Sequence, residues 1–327
     1  MSEPVGEFGG VSGADTAIVV ESVRKSFGEV KALRDITFSV PTGSVLGVLG
    51  PNGAGKTTTV SILSTLTRPD AGRAVVAGYD VVRDAARVRS SIMLTGQYAA
   101  LDEMLSGREN LVLFGRLMGL RRKPAQQRAE ELLDQFSLTE AGDRRVGQYS
   151  GGMRRRIDIA CGLVRPPRVV FLDEPTTGLD PVSRQSLWAL VRSLKEQGVT
   201  ILLTTQYLEE ADALSDNIIV VDKGTVIAEG TADQLKARSG DSYCEVVPVD
   251  AADVPAVVAA LAELGEPTVA ESRDRVSIPA PGGAATLSQA LDRINTAGIE
   301  LIDIALRRPS LDEVFIQLTK PTMGADA

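Results

Sequence analysis

The hydrophobic pattern between about residues 17 and 240 alternates short apolar runs with longer amphipathic stretches. The apolar runs are typical of buried strands, and they are Ala17–Val20, Thr37–Val40, Ser44–Leu49, Val169–Leu172 and Thr200–Leu203. The amphipathic stretches have helical spacing, and they are Lys56–Leu66, Ser106–Leu120, Pro124–Phe136 and Ser183–Glu196. Strands that alternate with helices are usually joined by right-handed crossovers. The pattern therefore predicts an α/β fold with a parallel sheet.

Local signals add detail to this region. Ser106 and Glu109 have the spacing of a capping box, in which each side chain bonds a free backbone N–H at the start of a helix. Ile218–Asp222 and Thr225–Ala228 predict a hairpin. Residues from about 98 to 165 are predicted to be mostly helical.

The amino-acid composition of the chain changes after about residue 240, where Ala, Val and Pro become frequent. Six segments follow in the order strand, helix, strand, helix, strand, helix, and they are 243–250, 252–264, 268–278, 284–297, 299–306 and 310–319. We therefore predict a main domain over 17–240, whose helical part is about 98–165, and a small C-terminal α+β domain over 241–320. Residues 1–16 are predicted to be a flexible lead-in and 321–327 a tail.

Composition narrows the classes of function. The 327 residues include 35 Lys and Arg against 43 Asp and Glu, a net charge of −8, which argues against a general nucleic-acid binder. With no His and only two Cys, the chain has no imidazole for a catalytic triad and too few thiols for a zinc cluster or disulfide framework. The N-terminus lacks the features of a secretory signal, and no run approaches the roughly 18–20 apolar residues that span a bilayer. We therefore expect any work at a membrane to depend on a partner.

A phosphate-binding motif gives the first chemical prediction. The segment from Gly50 to Thr57 matches G-x-x-x-x-G-K-[ST], and it lies between a buried strand and a helix, as this motif requires. Its backbone N–H groups and the helix N-terminus can surround a phosphate. Lys56 is expected to reach the β- and γ-phosphates, and the Thr57 hydroxyl is a natural Mg²⁺ ligand. An ordinary Gly-rich turn is the alternative.

A pair of carboxylates ends the predicted strand 169–172. Asp173 is expected near the phosphate loop, where it can bind Mg²⁺ directly or through water. Glu174 would point toward the γ-phosphate and activate the attacking water. Two solvated acids at a strand end are the alternative, which the neighbouring phosphate motif makes the weaker one.

The segment Tyr149-Ser-Gly-Gly-Met153 opens an Arg-rich helix, and with it the sequence resembles an ABC-type ATPase. The family signature is typically Leu-Ser-Gly-Gly-Gln, so this chain departs from it at both edges. The resemblance implies a RecA-like core with a helical subdomain. It also implies that Ser150, Gly151 and Gly152 bind the γ-phosphate of an ATP held by a second subunit. The run Arg154–Arg156 is predicted to be a solvated or interface face.

The same resemblance assigns roles to four isolated residues. Gln97 matches the residue that contacts Mg²⁺ and water and senses the transporter, and Asp180 matches a loop at the dimer interface. Phe27 matches the aromatic that stacks on adenine, with a buried core position as the alternative. Gln206 occupies the place of the usual switch His. A carboxamide can hydrogen bond to phosphate but cannot carry a proton near neutral pH, so Gln206 is expected only to orient the phosphate and water.

The predicted site is therefore large, and its members fall into three groups. The catalytic residues are Lys56, Gln97, Glu174 and Gln206. The residues that bind ATP are Phe27, Gly50, Pro51, Asn52, Gly53, Ala54, Gly55, Lys56, Thr57, Thr58, Ser150, Gly151, Gly152 and Asp180. The Mg²⁺ ligands are Thr57, Gln97 and Asp173.

A narrower resemblance covers about residues 17–320. Gln206, the Tyr149–Arg156 segment and the C-terminal Arg307–Phe315 segment are similar to ATP-binding subunits of actinobacterial daunorubicin/doxorubicin-resistance exporters. This resemblance implies a homodimer on the cytoplasmic face of the cell membrane, docked on a separate multi-span permease that exports anthracycline-like drugs or complex envelope lipids. It assigns the C-terminal domain to assembly or regulation, although the apolar face of residues 311–315 is equally consistent with packing inside that domain. The alternative function is a soluble ATPase switch that moves no substrate.

Overall fold

Ten strands form a single sheet in the first part of the chain. The computed structural model describes residues 16–96, 101–238, 242–270, 272–308 and 310–319. The strands are β1 (Thr16–Phe27), β2 (Val30–Pro41), β3 (Val45–Leu49), β4 (Ala71–Val76), β5 (Tyr79–Asp80), β6 (Ile92–Thr95), β7 (Val169–Asp173), β8 (Thr200–Thr205), β9 (Asn217–Asp222) and β10 (Thr225–Gly230). Their order across the sheet is β5-β4-β1-β2-β10-β9-β3-β8-β7-β6.

The predicted parallel sheet is confirmed for β9, β3, β8, β7 and β6, which are hydrogen-bonded to one another in parallel. All residues of β3, β7 and β8 are buried, because both faces of this part of the sheet are covered. Alternate residues of β7 enter opposite cores: Val170 and Leu172 pack in one, Val169 and Phe171 in the other. The carboxyl ends of these strands meet at one edge of the sheet.

The other half of the sheet is antiparallel except for the parallel pairing of β2 with β10, and the sequence pattern does not predict this mixture. The short runs at 17–20 and 37–40 belong to the 12-residue strands β1 and β2, which pair with each other, and β1 also pairs with β4. Irregular register interrupts both pairings, and this breaks the regular alternation by which a long strand is recognised. The predicted hairpin is confirmed, since β9 and β10 pair antiparallel.

Helices surround the sheet and fill the segment between β6 and β7. They are α1 (Lys56–Leu63), α2 (Ala85–Ser91), α3 (Gly107–Leu117), α4 (Arg122–Gln135), α5 (Gly151–Gly162), α6 (Pro181–Glu196) and α7 (Leu208–Leu214). The capping box at the start of α3 is confirmed, with Ser106 accepting from the Glu109 N–H and Glu109 accepting from the Ser106 N–H. Helix α1 ends at Leu63 rather than Leu66, since Ser64 already has non-helical geometry. Short 3-10 helices span Thr139–Ala141 and Val146–Gln148.

A second compact unit comprises Ala232–Ala327, and the first is Met1–Thr231. The second contains α8 (Ala232–Arg238), β11 (Tyr243–Pro248), a 3-10 helix (Ala251–Asp253), α9 (Val254–Leu261), β12 (Thr268–Val269), β13 (Val276–Pro279), α10 (Ala284–Thr296), β14 (Leu301–Arg307) and α11 (Leu311–Thr319). Its antiparallel sheet has the order β12-β13-β11-β14. Helix α8 packs against α11, which is why the second unit begins before residue 240.

One strand prediction in the second unit is wrong. The segment 268–278 is two short antiparallel strands, β12 and β13, because the polar run between them includes Arg273, whose φ of 55° reverses the chain.

Leu311 and Val314 of α11 are buried. Within the described residues, no helix is both long and apolar enough to cross a membrane.

Candidate nucleotide-binding site

The phosphate loop connects the buried strand β3 to helix α1. Gly53 and Gly55 have φ values of 81° and 111°, which glycine adopts without strain. A Cβ at Gly55 would lie 2.8 Å from the Ala32 carbonyl oxygen, and one at Gly50 would lie 2.3 Å from the Val221 carbonyl oxygen. Close packing against neighbouring backbone therefore requires glycine at positions 50 and 55, and the loop conformation also requires it at 55.

Lys56 is buried at the start of α1, with 4% of its surface exposed. Its ammonium group donates to the carbonyl oxygens of Gly50 at 2.7 Å and Pro51 at 3.2 Å. The Nζ atom also lies 3.3 Å from Oε1 of Glu174. The structure therefore brings the loop lysine and the second strand-end carboxylate together, as the sequence analysis expects.

Thr57 and Asp173 supply oxygen atoms at the same place. The Thr57 hydroxyl donates to Oδ1 of Asp173 at 3.3 Å, and the Thr204 hydroxyl donates to the same oxygen at 2.5 Å. Asp173 is buried at the end of β7, so the two hydroxyls offset part of the cost of desolvating its charge. Hydroxyl and carboxylate oxygens are ligands that Mg²⁺ accepts, so this donor set fits the metal. Among the described residues, no group of three or more Cys, Asp or Glu side chains forms a metal cluster.

Glu174 has a left-handed backbone, with a φ of 47°. Such a conformation costs a non-glycine residue about 1–3 kcal/mol, and it must be held by its surroundings. The Glu174 N–H donates to both the carbonyl and the hydroxyl oxygens of Thr204, each at 3.1 Å. Thr204 on β8 therefore positions both strand-end acids, a role that no sequence motif signals.

An open cleft of about 700 Å³ runs along the phosphate loop. The side chains and backbone that line it are Val30, Lys31, Ala32, Arg34, Asn52, Gly53, Gly55, Lys56, Thr57, Thr58, Glu174 and Lys223. Four of these residues are cationic, which suits a polyanionic ligand. No sequence motif signals Lys31, Arg34 or Lys223, because only the packing of β2 and the β9–β10 turn against the loop brings them there.

Phe27 lies at the end of β1 and pairs with Val30, which lines the cleft. Its side chain is 52% exposed, and Nζ of Lys25 lies 5.4 Å from the ring centre. The exposure excludes the alternative of a buried core position. An exposed ring beside the cleft is available for stacking.

Ser150, Gly151 and Gly152 form the N-terminus of α5. Ser150 is the exposed N-cap and accepts from the Met153 N–H at 3.3 Å. Gly152 is buried so closely against α6 that a Cβ would lie 2.2 Å from Oγ of Ser183. Among the described residues that line the cleft, none of these three is present.

Tyr149 explains one departure from the family signature. Its ring is buried and its hydroxyl donates to the Ala141 carbonyl oxygen at 2.7 Å. Burial raises the pKa of the Tyr149 hydroxyl above its ordinary value. Tyr149 therefore holds the start of α5 against the 3-10 helix Thr139–Ala141.

Asp180 and Gln206 lie where a loop meets a helix or a strand, and Gln97 is not among the described residues. Asp180 is the N-cap of α6 and accepts from the N–H and hydroxyl of Ser183 at 2.9 and 2.6 Å. These hydrogen bonds lower the pKa of the Asp180 carboxyl. Gln206 is exposed directly after β8, and Gln97 lies outside the described residues.

The Arg154–Arg156 run is not a uniform solvated face, because Arg155 is largely buried. Its side chain is 12% exposed, compared with 41% for Arg154. The guanidinium donates to Pro175 in the loop after β7, to Thr95 at the end of β6 and to Gly96 directly after it. The sequence analysis missed this residue because it stands in a run of like charges.

Comparison with known proteins agrees with this geometry. The ABC transporter family model matches residues 33–177. The doxorubicin resistance ATP-binding protein DrrA of Mycobacterium tuberculosis is 62% identical, over 93% of this chain and 94% of its own length. DrrA3 of Streptomyces coeruleorubidus, a daunorubicin resistance ATP-binding protein, is 56% identical over 94% and 96%. The linearmycin resistance ATP-binding protein LnrL of Bacillus subtilis is 34% identical over 93% and 98%.

Solved structures share the fold over about two thirds of the chain. An ATP-binding subunit of an ABC transporter has a TM-score of 0.62 and 29% identity, over 68% of this chain and 93% of that one. An ATP-binding cassette described as dimeric and bound to ADP and Pi has a TM-score of 0.60 and 25% identity, over 65% and 98%. The resemblance noted in the sequence is confirmed. The chain belongs to the DrrA-type family of ABC transporter ATP-binding proteins, and it is the ATP-hydrolysing subunit of an exporter.

Proposed function

We propose that this chain hydrolyses ATP in the cleft beside the phosphate loop and thereby powers export of amphipathic drugs through a separate membrane permease. The observation that carries the proposal is the convergence of Lys56, Thr57, Asp173 and Glu174 at one edge of the sheet. Drug export is supported by the resistance functions named for the similar proteins. Complex envelope lipids are the other amphipathic cargo that we propose.

The chemistry follows from the positions of the side chains. Lys56 can neutralise charge that spreads over the γ-phosphate, and backbone N–H groups of the phosphate loop can surround the β-phosphate. Thr57 and Asp173 would hold Mg²⁺, with Gln97 as the third proposed ligand. When bound, this metal would neutralise phosphate charge.

Glu174 is the proposed general base for the attacking water. It faces Lys56 at 3.3 Å, so its carboxylate lies beside the group that would bind the γ-phosphate. Gln206 follows the neighbouring strand β8 and would orient the phosphate or the water. Phe27 would stack on the adenine.

The proposed active unit is a homodimer. Ser150 presents a helix N-terminus suited to a phosphate, yet it is not part of the cleft formed by its own chain. A second copy would supply it to the ATP held by the first, with Asp180 at the same interface. The similar cassette described as dimeric supports the proposal of a dimer.

We place this dimer on the cytoplasmic side of the cell membrane, held there by the permease. The resistance functions named for the similar proteins argue against the rival function, an ATPase switch that is not coupled to transport. Recovery of the chain in the membrane fraction with a multi-span protein would favour transport. A membrane-free pool whose ATPase is stimulated by nucleic acid would favour the rival.

Substitution of Lys56 tests the proposed site directly. Lys56→Ala removes the buried cation, and ATP turnover is expected to fall about 100-fold or more. Lys195→Ala removes an exposed lysine that pairs with Asp216 on the surface, and it should retain normal turnover. ATPase activity of the purified proteins is the measurement. Normal turnover by Lys56→Ala would contradict the proposed site.

A further inference from the structure

One guanidinium joins three segments of the candidate site. Arg155 lies on α5, the helix that begins beside Ser150. Its Nε donates to the Pro175 carbonyl oxygen at 3.1 Å, and its Nη1 donates to the Gly96 carbonyl oxygen at 2.8 Å. Its Nη2 donates to the Thr95 hydroxyl at 3.2 Å. All three bonds lead away from α5 to the carboxyl edge of the sheet, at the loop after β7 and at the end of β6.

These acceptors are next to the residues that carry the proposed chemistry. Pro175 directly follows Glu174, whose left-handed backbone must be held in place. Gly96 directly precedes Gln97 in the sequence. Thr204 holds the N–H of Glu174, and Arg155 holds the backbone of the next residue, Pro175. Arg155 also fixes the end of β6, which leads to Gln97.

The surroundings of Arg155 explain why an arginine suits this position. Asp158, one turn further along α5, lies 3.6 Å from Nη1 and balances the charge, and Arg155 and Asp158 are both largely buried. A planar guanidinium can donate in several fixed directions at once, whereas a lysine ammonium at the end of a flexible chain cannot reproduce them.

The two neighbouring arginines have different partners. Arg154 donates to the Gly147 carbonyl oxygen and pairs with Glu103, and Arg156 donates to the Phe136 carbonyl oxygen at 2.9 Å. Neither set of contacts reaches the loops after β6 or β7. Arg156→Lys is therefore a control on the same helix with the same change of side chain.

We propose that Arg155 is a positioning residue. It holds the Glu174 loop and the strand end before Gln97 in fixed positions relative to the helix that begins at Ser150. This inference rests on the proposed function of the same site. Arg155 does not touch the cleft, so it acts on hydrolysis through the placement of Glu174 and not through nucleotide binding.

The test compares Arg155→Lys with Arg156→Lys in the full-length chain. We measure the stoichiometry and Kd of ATP binding and the turnover per bound nucleotide, which does not change when a fraction of the protein is unfolded. Arg155→Lys is expected to bind one ATP per chain with a Kd within about threefold of the original. Its turnover per bound ATP should fall about 100-fold, since small misplacements of a reacting group have effects of this size. Arg156→Lys should retain both values.

Three outcomes separate this inference from the proposed function. Normal turnover per bound ATP in Arg155→Lys, with Lys56→Ala inactive, would overturn the positioning role and leave the ATPase site intact. Equal losses in Arg155→Lys and Arg156→Lys would also overturn it, because a general effect on α5 would then suffice. An active Lys56→Ala would instead overturn the proposed site. Arg155→Gln is the second variant, and it should lose turnover at least as strongly as Arg155→Lys.

Discussion

Buried charges in the site are paired with groups of opposite charge or with hydrogen-bond donors. Lys56 faces Glu174, and Asp173 accepts from two hydroxyls. Such pairing is required because an isolated buried charge costs far more than an exposed one. It also places a cation, a proposed base and a proposed metal ligand within a few ångströms. The local chemistry therefore follows from how the fold compensates charge at the carboxyl edge of the sheet.

Glu210 is a buried acid that the proposed mechanism does not use. Its carboxylate on α7 accepts from Nε1 of Trp188 at 3.3 Å, and 1% of the residue is exposed. Burial raises the pKa of the Glu210 carboxyl, although the nearby hydroxyls of Thr205 and Thr176 and the charge of Arg184 oppose the shift. The folded chain therefore holds this proton at pH values where the unfolded chain has released it.

A pH dependence of stability follows from this raised pKa. Glu210 contributes most to the free energy of unfolding below its unfolded pKa of about 4.3. This contribution is lost as the pH rises from that value toward the higher pKa of the folded chain. Glu210→Gln removes the titration, so its free energy of unfolding relative to the original chain should rise with pH across this window. Urea unfolding at several pH values measures the difference. The exposed neighbour Glu209→Gln is the control, and a pH-independent difference for Glu210→Gln would contradict the prediction.

At the scale of elements, strands buried on both faces and helices with clear caps were predictable from sequence. Strands β3, β7 and β8 read as continuous apolar runs, and α3 has its capping box. The phosphate loop and the acids at the end of β7 could be placed because each adjoins such an element. Thr204, Lys31 and Arg155 could not, because their roles depend on contacts between segments far apart in the sequence.

The attachment of α5 to the preceding turn gives a second prediction. Tyr149→Phe removes the hydroxyl that bonds to Ala141 and leaves that carbonyl without this donor in a buried place. The free energy of unfolding should fall by about 1 kcal/mol. Chemical denaturation is the measurement, with the half-buried Tyr79→Phe as a control expected to change by less than about 0.5 kcal/mol. An unchanged stability for Tyr149→Phe would show that this hydrogen bond does not anchor the helix.

At the scale of the whole molecule, the described site residues all belong to the first compact unit. This unit holds both a cleft with the phosphate loop and, outside that cleft, the helix N-terminus at Ser150 that we propose as an anion site. Two copies related by a two-fold axis can each complete the other's cleft, which gives two equivalent composite sites. The proposed dimer therefore follows from the separation of these two features within one chain. The proposed assembly role of the second unit stays a prediction.

The central claim is that ATP is held between two copies of this chain. The most direct test is to measure the mass of the Glu174→Gln protein by sedimentation in the presence of ATP and Mg²⁺. This substitution removes the proposed base and keeps the nucleotide contacts, so sedimentation should give twice the monomer mass. Adding Ser150→Asp retains a helix cap but places a negative charge at the anion site, and it should leave the chain monomeric. Adding the neutral cap Ser150→Asn should preserve the dimer. A Glu174→Gln chain that stays monomeric at saturating ATP and Mg²⁺, alone and with its permease, would contradict the account.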